Sequence, residues 1–185
     1  MTSVLNPPAL DAAVAEAKAY LRVEGAQEDA LLGRLAGSAA ALCEALVGQW
    51  LIAREGVETV PAAGRWQRLR AGPVGAILGV ETLSPDGTAT ALPAHAYEID
   101  IDAAGRGWVR LLSLGEPRRG RVRFEAGLAA AWGDLPEPLR QGVVRLTAHL
   151  YAHRSAESGA GPPAAVTALW RPWRRIGLGA EARHA

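Results

Sequence analysis

Apolar residues in the first fifty positions recur at helical spacing. Leu10, Val14, Ala17 and Leu21 fall at i, i+4, i+7 and i+11. Leu31, Leu35, Ala39, Leu42 and Leu46 continue the period in a second segment that runs to about Val47. An amphipathic helix gains most of its stability by packing its apolar stripe, so neither segment stands alone. The joining stretch Glu24-Gly-Ala-Gln-Glu-Asp29 is short and contains a glycine. This predicts a helical hairpin whose stripes face each other or a shared third element. Ahead of it, Pro7-Pro8 has no backbone donors, and residues 1–9 are expected to form an extended arm.

Beyond Trp50 the period shortens to two. Leu51–Val57 is a strand candidate, and Arg65–Arg70 alternates so that Trp66 and the stem of Arg68 share a face. Ala76–Leu83 and Thr88–Leu92 flank Ser84-Pro-Asp-Gly87, in which proline presets φ and glycine accepts a positive one. A β-hairpin is predicted there. Tyr97–Ile101 alternates strictly and turns through Ala103–Gly107 into Trp108–Leu112. Pro117-Arg118-Arg119-Gly120 leads into Arg121–Ala126, with Val122 and Phe124 on one side. Five to seven short strands between helices predict a compact antiparallel unit inserted into a helical frame.

The helical period returns after Asp134-Leu-Pro-Glu137, whose acidic residues three apart resemble a capping box. Leu139, Val143, Leu146 and Leu150 carry the stripe to about Arg154. Ser155–Pro163, rich in Gly, Ser, Pro and Ala, reads as a flexible linker. The predicted class is α+β: an N-terminal helical pair and a helix in the C-terminal half, with a small antiparallel β insert. One domain is expected over residues 1–155, with helices at about 10–48 and 136–154 and the β unit at about 50–127. A linker and docking arm would follow over residues 156–185.

Composition narrows the function classes. A chain of 185 residues suits one domain with a real core, and 21 glycines and 12 prolines imply many turns rather than disorder. A net charge of +1 supplies no global field for polyanions, so nucleic-acid contact would need a local patch. The lone Cys43 cannot form an internal disulfide, and within an apolar helix it reads as a small hydrophobe. The first residues show no basic and apolar regions of a signal peptide, and no uninterrupted apolar run reaches membrane-span length.

No constellation carries catalysis. His149 and His153, four apart on a helix, have the spacing of two zinc ligands but no third ligand or intervening Glu. Gly159-x-Gly161 and Gly177-x-Gly179 stand outside any strand-to-helix unit, and no nucleophile elbow surrounds Ser155 or Ser158. Asp100 and Asp102 flank a strand end as exposed turn residues. No metal and no cofactor is expected. Arg118, Arg119, Arg121 and Arg123 form a basic run whose odd members share a strand face; they would meet phosphate, or simply be solvated and blunt a sheet edge. Leu169, Trp170, Arg171, Trp173, Arg174 and Arg175 behind the linker combine the residue types enriched at interface hot spots, and read as a docking peptide. The alternative is that this segment folds back on its own domain.

In order and spacing these segments resemble the head-tail connector (adaptor) family of tailed bacteriophages and phage-derived gene transfer agents. The resemblance rests first on Glu16-Ala-Lys-x-x-Leu-Arg-Val23, the acidic pair Glu28-Asp29 and an Ala/Leu helix ending near Glu44. Arg121-Val-Arg-Phe-Glu-Ala-Gly127 is similar to the family's VxVxFxAG segment and is followed by Leu135–Gln141. Ala148-His-x-Tyr151 with Arg154, then Leu169–Arg175, complete it. Trp-Arg-Pro-Trp stands where Pro-Tyr-Arg is usual, and Pro172 interrupts the last helix. The resemblance implies a non-enzymatic subunit of a twelvefold ring that binds beneath the portal protein. It would assemble in the bacterial cytoplasm and end in the neck of the particle. There it would join a stopper or tail-side neck protein while double-stranded DNA passes through without sequence readout. The C-terminal segment, Leu169–Arg175, would engage the portal. Alternatives are a stopper or tail-terminator protein of the same particle, or a small DNA-binding module using Arg119, Arg121 and Arg123.

Overall fold

A computed structural model describes residues 4–61, 64–84, 86–112, 119–153 and 161–175. Pro85, Pro117, Arg118, Arg154, the linker positions 155–160 and the tail from Ile176, with Gly177, Gly179 and His184, lie outside the described residues. The chain is α+β and divides into two compact units, one of Met1–Ile52 with Leu128–Arg175 and one beginning at Ala53 and running to Gly127.

The first unit is helical. Its helix α1 spans Pro7–Leu21, with Asn6 as N-cap accepting from Ala9 N at 3.0 Å. Pro7 and Pro8 occupy the first turn, where helix donors have no intrahelical partner anyway, so residues 7–9 of the expected arm are instead the start of a helix, while residues 1–3 lie outside the described residues. Lys18 closes the turn into the next helix by donating to Gly25 O and Asp29 Oδ1. Helix α2 spans Asp29–Val47 and ends on Gly48 at φ 68°, a left-handed C-cap. Helix α3 spans Glu137–Ala152 and is the shared third element: α1, α2 and α3 all pack against one another.

The buried stripes include Ala17 and Ala39 as expected, but otherwise run beside the expected positions. Ala9, Ala13 and Ala17 are buried in α1, and Leu32, Ala36, Ala39, Ala40, Cys43 and Val47 in α2. Leu10, Val14 and Leu46 sit on the flanks of the core, and Leu42 is 44% exposed. Small side chains let helix backbones approach closely, and the larger ones then cover the seam from its sides. Burial pushes the Cys43 thiol up, and the neighbouring Glu44 charge adds to the effect, so this cysteine stays a neutral thiol. On α3 the expected stripe holds, with Leu139, Val143 and Leu146 buried and Leu150 packed against the core. The capping box does not form. Asp134 belongs to a 3₁₀ turn over Trp132–Asp134, α3 starts after Pro136 without a side-chain cap, and Glu137 pairs with Arg140 and accepts from Gln141. Trp132 is buried and donates to Glu16 Oε1 at 3.0 Å.

Within the helical unit, the two chain segments that flank the insert are joined to each other. Leu128 N donates to Trp50 O at 2.9 Å, Ala129 N donates to Leu51 O at 3.1 Å, and Ile52 bridges Ala129. Leu51 and Ile52 are therefore buried in the helical core, and the first strand begins only at Arg54.

The described residues of the second unit form seven strands: β1 Arg54–Pro61, β2 Gln67–Arg68, β3 Val74–Leu83, β4 Ala89–Ala91, β5 Tyr97–Ile101, β6 Gly107–Leu111 and β7 Arg119–Ala126. They form a four-stranded sheet of order β1-β7-β3-β4 and a three-stranded sheet of order β2-β6-β5, with every strand pair antiparallel. The Ser84–Gly87 hairpin turn forms as expected, with Gly87 N donating to Ser84 O at 2.9 Å and Gly87 at φ 86°. Gly120 permits close packing inside this unit, since a Cβ there would lie 2.6 Å from Leu111 Cδ1.

The β5–β6 turn is held by Asp102. Its carboxylate accepts from Ala104 N and Arg106 N at 2.9 Å each and from Trp108 Nε1 at 3.3 Å. Burial acts to raise its pKa, but hydrogen bonds from Arg106, Trp108 and Ala104, with the Arg106 charge, hold the carboxyl below its ordinary value. Asp102→Ala is expected to cost the unit about 1–3 kcal/mol, because three donors, two of them part-buried, lose a charged acceptor. As the folded pKa is depressed, the carboxylate's contribution is complete above the ordinary value of about 3.9 and is lost as pH falls through the folded one. Denaturant melts of wild type and variant should converge at low pH.

Candidate docking surfaces

The C-terminal segment folds. Helix α4 spans Ala164–Trp170, and Arg171–Trp173 continues it as a 3₁₀ turn, into which Pro172 fits because a turn of this kind leaves its first donors free. Trp170 is fully buried, with Nε1 donating to Leu139 O at 3.3 Å. The site that receives it is Gly142, where a Cβ would lie 2.0 Å from Trp170 Nε1. Val166 is buried beside it, and Leu169 and Trp173 pack partly against the same core. Two polar contacts tie the segment's end to the end of α2. Gln49 Nε2 donates to Trp173 O at 2.6 Å, and Arg175 N donates to Val47 O at 2.8 Å.

The six residues marked for docking therefore divide. Trp170 is an anchor facing inward, while Leu169 and Trp173 are half-buried and Arg171, Arg174 and Arg175 are exposed. What remains for a partner is a basic knuckle standing on a tryptophan. Gly142 was not singled out in the sequence, although a glycine inside a helical stripe costs roughly 1 kcal/mol and usually has a packing reason.

The arginine run lies on β7. Arg119 and Arg123 are exposed and Arg121 partly so, all on one face, while Gly120, Val122, Phe124 and Ala126 point inward. β7 lies between β1 and β3, so these arginines do not blunt an edge. Arg121 is taken by Glu81 across the strand pair, at 2.6 Å. Glu55 and Glu125 stand on the same face at its other end, directly opposite each other. The face thus carries acids as well as bases, and it offers phosphate a narrow basic end rather than a broad field. On the edge strand β1, the Glu58 carboxylate accepts from Arg70 N and Ala71 N at 2.8–2.9 Å. In the other sheet, Arg110 pairs with Glu98 at 2.6 Å and lies over the Trp66 ring, 5.3 Å from its centroid.

His149 and His153 have their ring centroids 4.2 Å apart, and His153 Nδ1 lies 2.9 Å from His149 O. Among the described residues no group of three metal-ligating side chains occurs.

Solved particles contain chains of this build. The neck of an empty gene transfer agent (GTA) particle, computed with C6 symmetry, holds a chain 27% identical with a TM-score of 0.76, matched over 96% of this chain and 97% of that one. This chain has the fold of a particle-neck protein. A chain in the virion of a native GTA particle is 29% identical with a TM-score of 0.73, and one in a native GTA neck computed with C12 symmetry is 28% identical with a TM-score of 0.72. Both of these matches also cover 96% of this chain and 97% of the other. No family model matches the chain, and no curated protein does. The likeness runs through helical frame, β insert and C-terminal segment alike, and it is to structural parts of a phage-like particle.

Proposed function

We propose that this chain is a non-enzymatic head-tail connector, a subunit of a ring that attaches to the portal and joins capsid to tail. The observation that carries this reading is the near end-to-end match to GTA neck and virion chains at TM-scores of 0.72–0.76. Necks computed with C12 and C6 symmetry support a ring of twelve. A ring needs heterologous contacts between identical copies, and a packed three-helix frame offers firm surfaces for them. Double-stranded DNA would pass through the lumen, with the exposed Arg119 and Arg123 available for weak contacts without sequence readout. The partners would be the portal protein, further copies and a stopper or tail-side neck protein. The subunit would assemble in the bacterial cytoplasm and finish in the particle neck. The helical frame weighs against a stopper or tail terminator, which would be dominated by β-structure.

The portal would meet the α4 knuckle through Arg171, Arg174 and Arg175, with Trp173 and Leu169 at its base and Trp170 holding it from beneath. Light scattering on a sizing column, run for the protein alone and with the portal protein of the same particle, tests the reading. A small species alone and a large joint complex, whose mass gives the stoichiometry, is the expected result. Two separate peaks from folded components at moderate salt would sink it.

A further inference from the structure

The three-stranded sheet ends on β5, and among the described strands β6 alone pairs with it. The phase of that ladder is fixed at both ends, where Leu112 N donates to Ala96 O at 2.9 Å and Asp102 N donates to Arg106 O at 3.1 Å. Both pairs continue the β5–β6 register, in which Glu98 faces Arg110 and Asp100 faces Trp108. In an antiparallel pair alternate residues bond to the neighbour, and those between turn their N–H and C=O the other way. Ala96, Glu98, Asp100 and Asp102 therefore bond toward β6, while Tyr97, Ile99 and Ile101 direct their backbone groups to the open edge. No described residue bonds those groups. The same three side chains share a face with Gly107, Val109 and Leu111, which are buried, yet Ile99 is 45% exposed and Ile101 37%. β5 thus presents a row of open donors and acceptors beside uncovered isoleucines, with no proline or lysine to protect it. β2 and β4, by contrast, are edges of two and three residues, too short to template another strand.

We propose that the β5 edge takes an added strand from a partner protein, an extended segment in which apolar and basic residues alternate. Backbone groups spaced along an edge are satisfied together only by another extended chain, which makes a strand the occupant. Its residues opposite Tyr97, Ile99 and Ile101 continue the apolar layer of Val109 and Leu111, so they are apolar. The residues between them fall on the other face beside Glu98 and Asp100, with Cβ atoms about 4.5–5.5 Å from theirs. Glu98 holds Arg110 at 2.6 Å; a basic neighbour shares its carboxylate, whereas an acidic one is repelled. That chemistry disfavours a second copy of β5. With Ile99 opposite Ile99, the Glu98 of each copy would face the Asp100 of the other. The added strand therefore has a sequence different from that of β5. This contact goes beyond the connector reading, and it stands or falls separately from attachment to the portal.

Fluorescence anisotropy on the full chain tests this, with a labelled, end-blocked peptide of about nine residues that alternates valine and lysine. A peptide of the same length alternating valine and glutamate is the control, and both are read at one fixed salt concentration. The lysine peptide should bind at least tenfold more tightly than the glutamate one. Proline is tolerated on an edge strand where the missing N–H faces outward, so Ile99→Pro should keep the wild-type circular dichroism and lose at least tenfold in affinity. Amide hydrogen exchange on the wild-type chain gives a second readout that needs no variant. Without peptide, the amides of Ile99 and Ile101 should exchange at least tenfold faster than those of Glu98 and Asp100, and saturating peptide should remove the difference. No binding of the lysine peptide, equal binding of the two peptides, full affinity in a folded Ile99→Pro chain, or exchange at Ile99 and Ile101 unchanged by peptide would each overturn the proposal.

Discussion

Trp170→Ala will destabilise the helical unit by about 3–5 kcal/mol, the range for removing a large buried aromatic when the site cannot collapse. Collapse is restricted here because the indole fills a seat shaped by Gly142, on a helix whose backbone is fixed by its own ladder. The Leu139 carbonyl also loses its donor, and Val166 loses its neighbour in the core. Urea melts followed by far-UV circular dichroism should show the midpoint fall, with the loss confined to the helical transition if the two units melt separately. Gly142→Val fills the seat from the other side and should produce a loss of similar size. If both variants melt like wild type, α4 is a loosely held arm and the anchoring argument fails. Truncation before α4 is a poor probe of docking for the same reason, since it would uncover the Leu139–Val143 surface of α3 together with the arm.

The periodicity that made helices legible in the sequence was reliable about type and less so about face. α1, α2 and α3 are helices where the spacing predicts them, yet the buried seam of the first two takes in Ala9, Ala13, Leu32, Ala36 and Ala40 beside the expected Ala17 and Ala39, while Leu10, Leu42 and Leu46 lie at its flanks or outside it. Alanine carries little hydrophobic signal, but it allows the closest backbone approach, and that outcome depends on the facing helix. The strands were legible because alternation is local; their grouping into two sheets was not, because it depends on pairings such as Glu81 with Arg121, forty residues apart. The candidate surfaces show the same division. The arginines of β7 share the expected face, but only the register reveals Glu55 and Glu125 at its far end and β7 as an interior strand. The Trp/Arg segment stood out by composition, whereas which tryptophan turns inward is decided by a glycine almost thirty residues earlier.

Reversing the knuckle's exposed charges, with Arg171→Glu and Arg174→Glu together, should weaken portal attachment by about 10²–10⁴-fold. Each guanidinium meeting an acceptor contributes about 1.5–3 kcal/mol, and reversal adds repulsion to the loss. The magnitude depends on the knuckle being rigid before binding. With Trp170 seated and Gln49 and Arg175 N tied to the end of α2, little ordering entropy remains to be lost on docking. Neither arginine side chain is engaged within the described structure, and both are exposed, so the variant should keep the wild-type melting midpoint. That separates it from Trp170→Ala, in which any loss of attachment would be mixed with loss of fold. Titration of the portal protein against surface-bound variant, at one fixed salt concentration, gives the comparison directly. An unchanged affinity with an unchanged melt would remove the knuckle from the portal contact while leaving the fold likeness to neck chains intact. A large loss of affinity at constant stability would place the contact on Arg171 and Arg174, and single reversals would then apportion it between them.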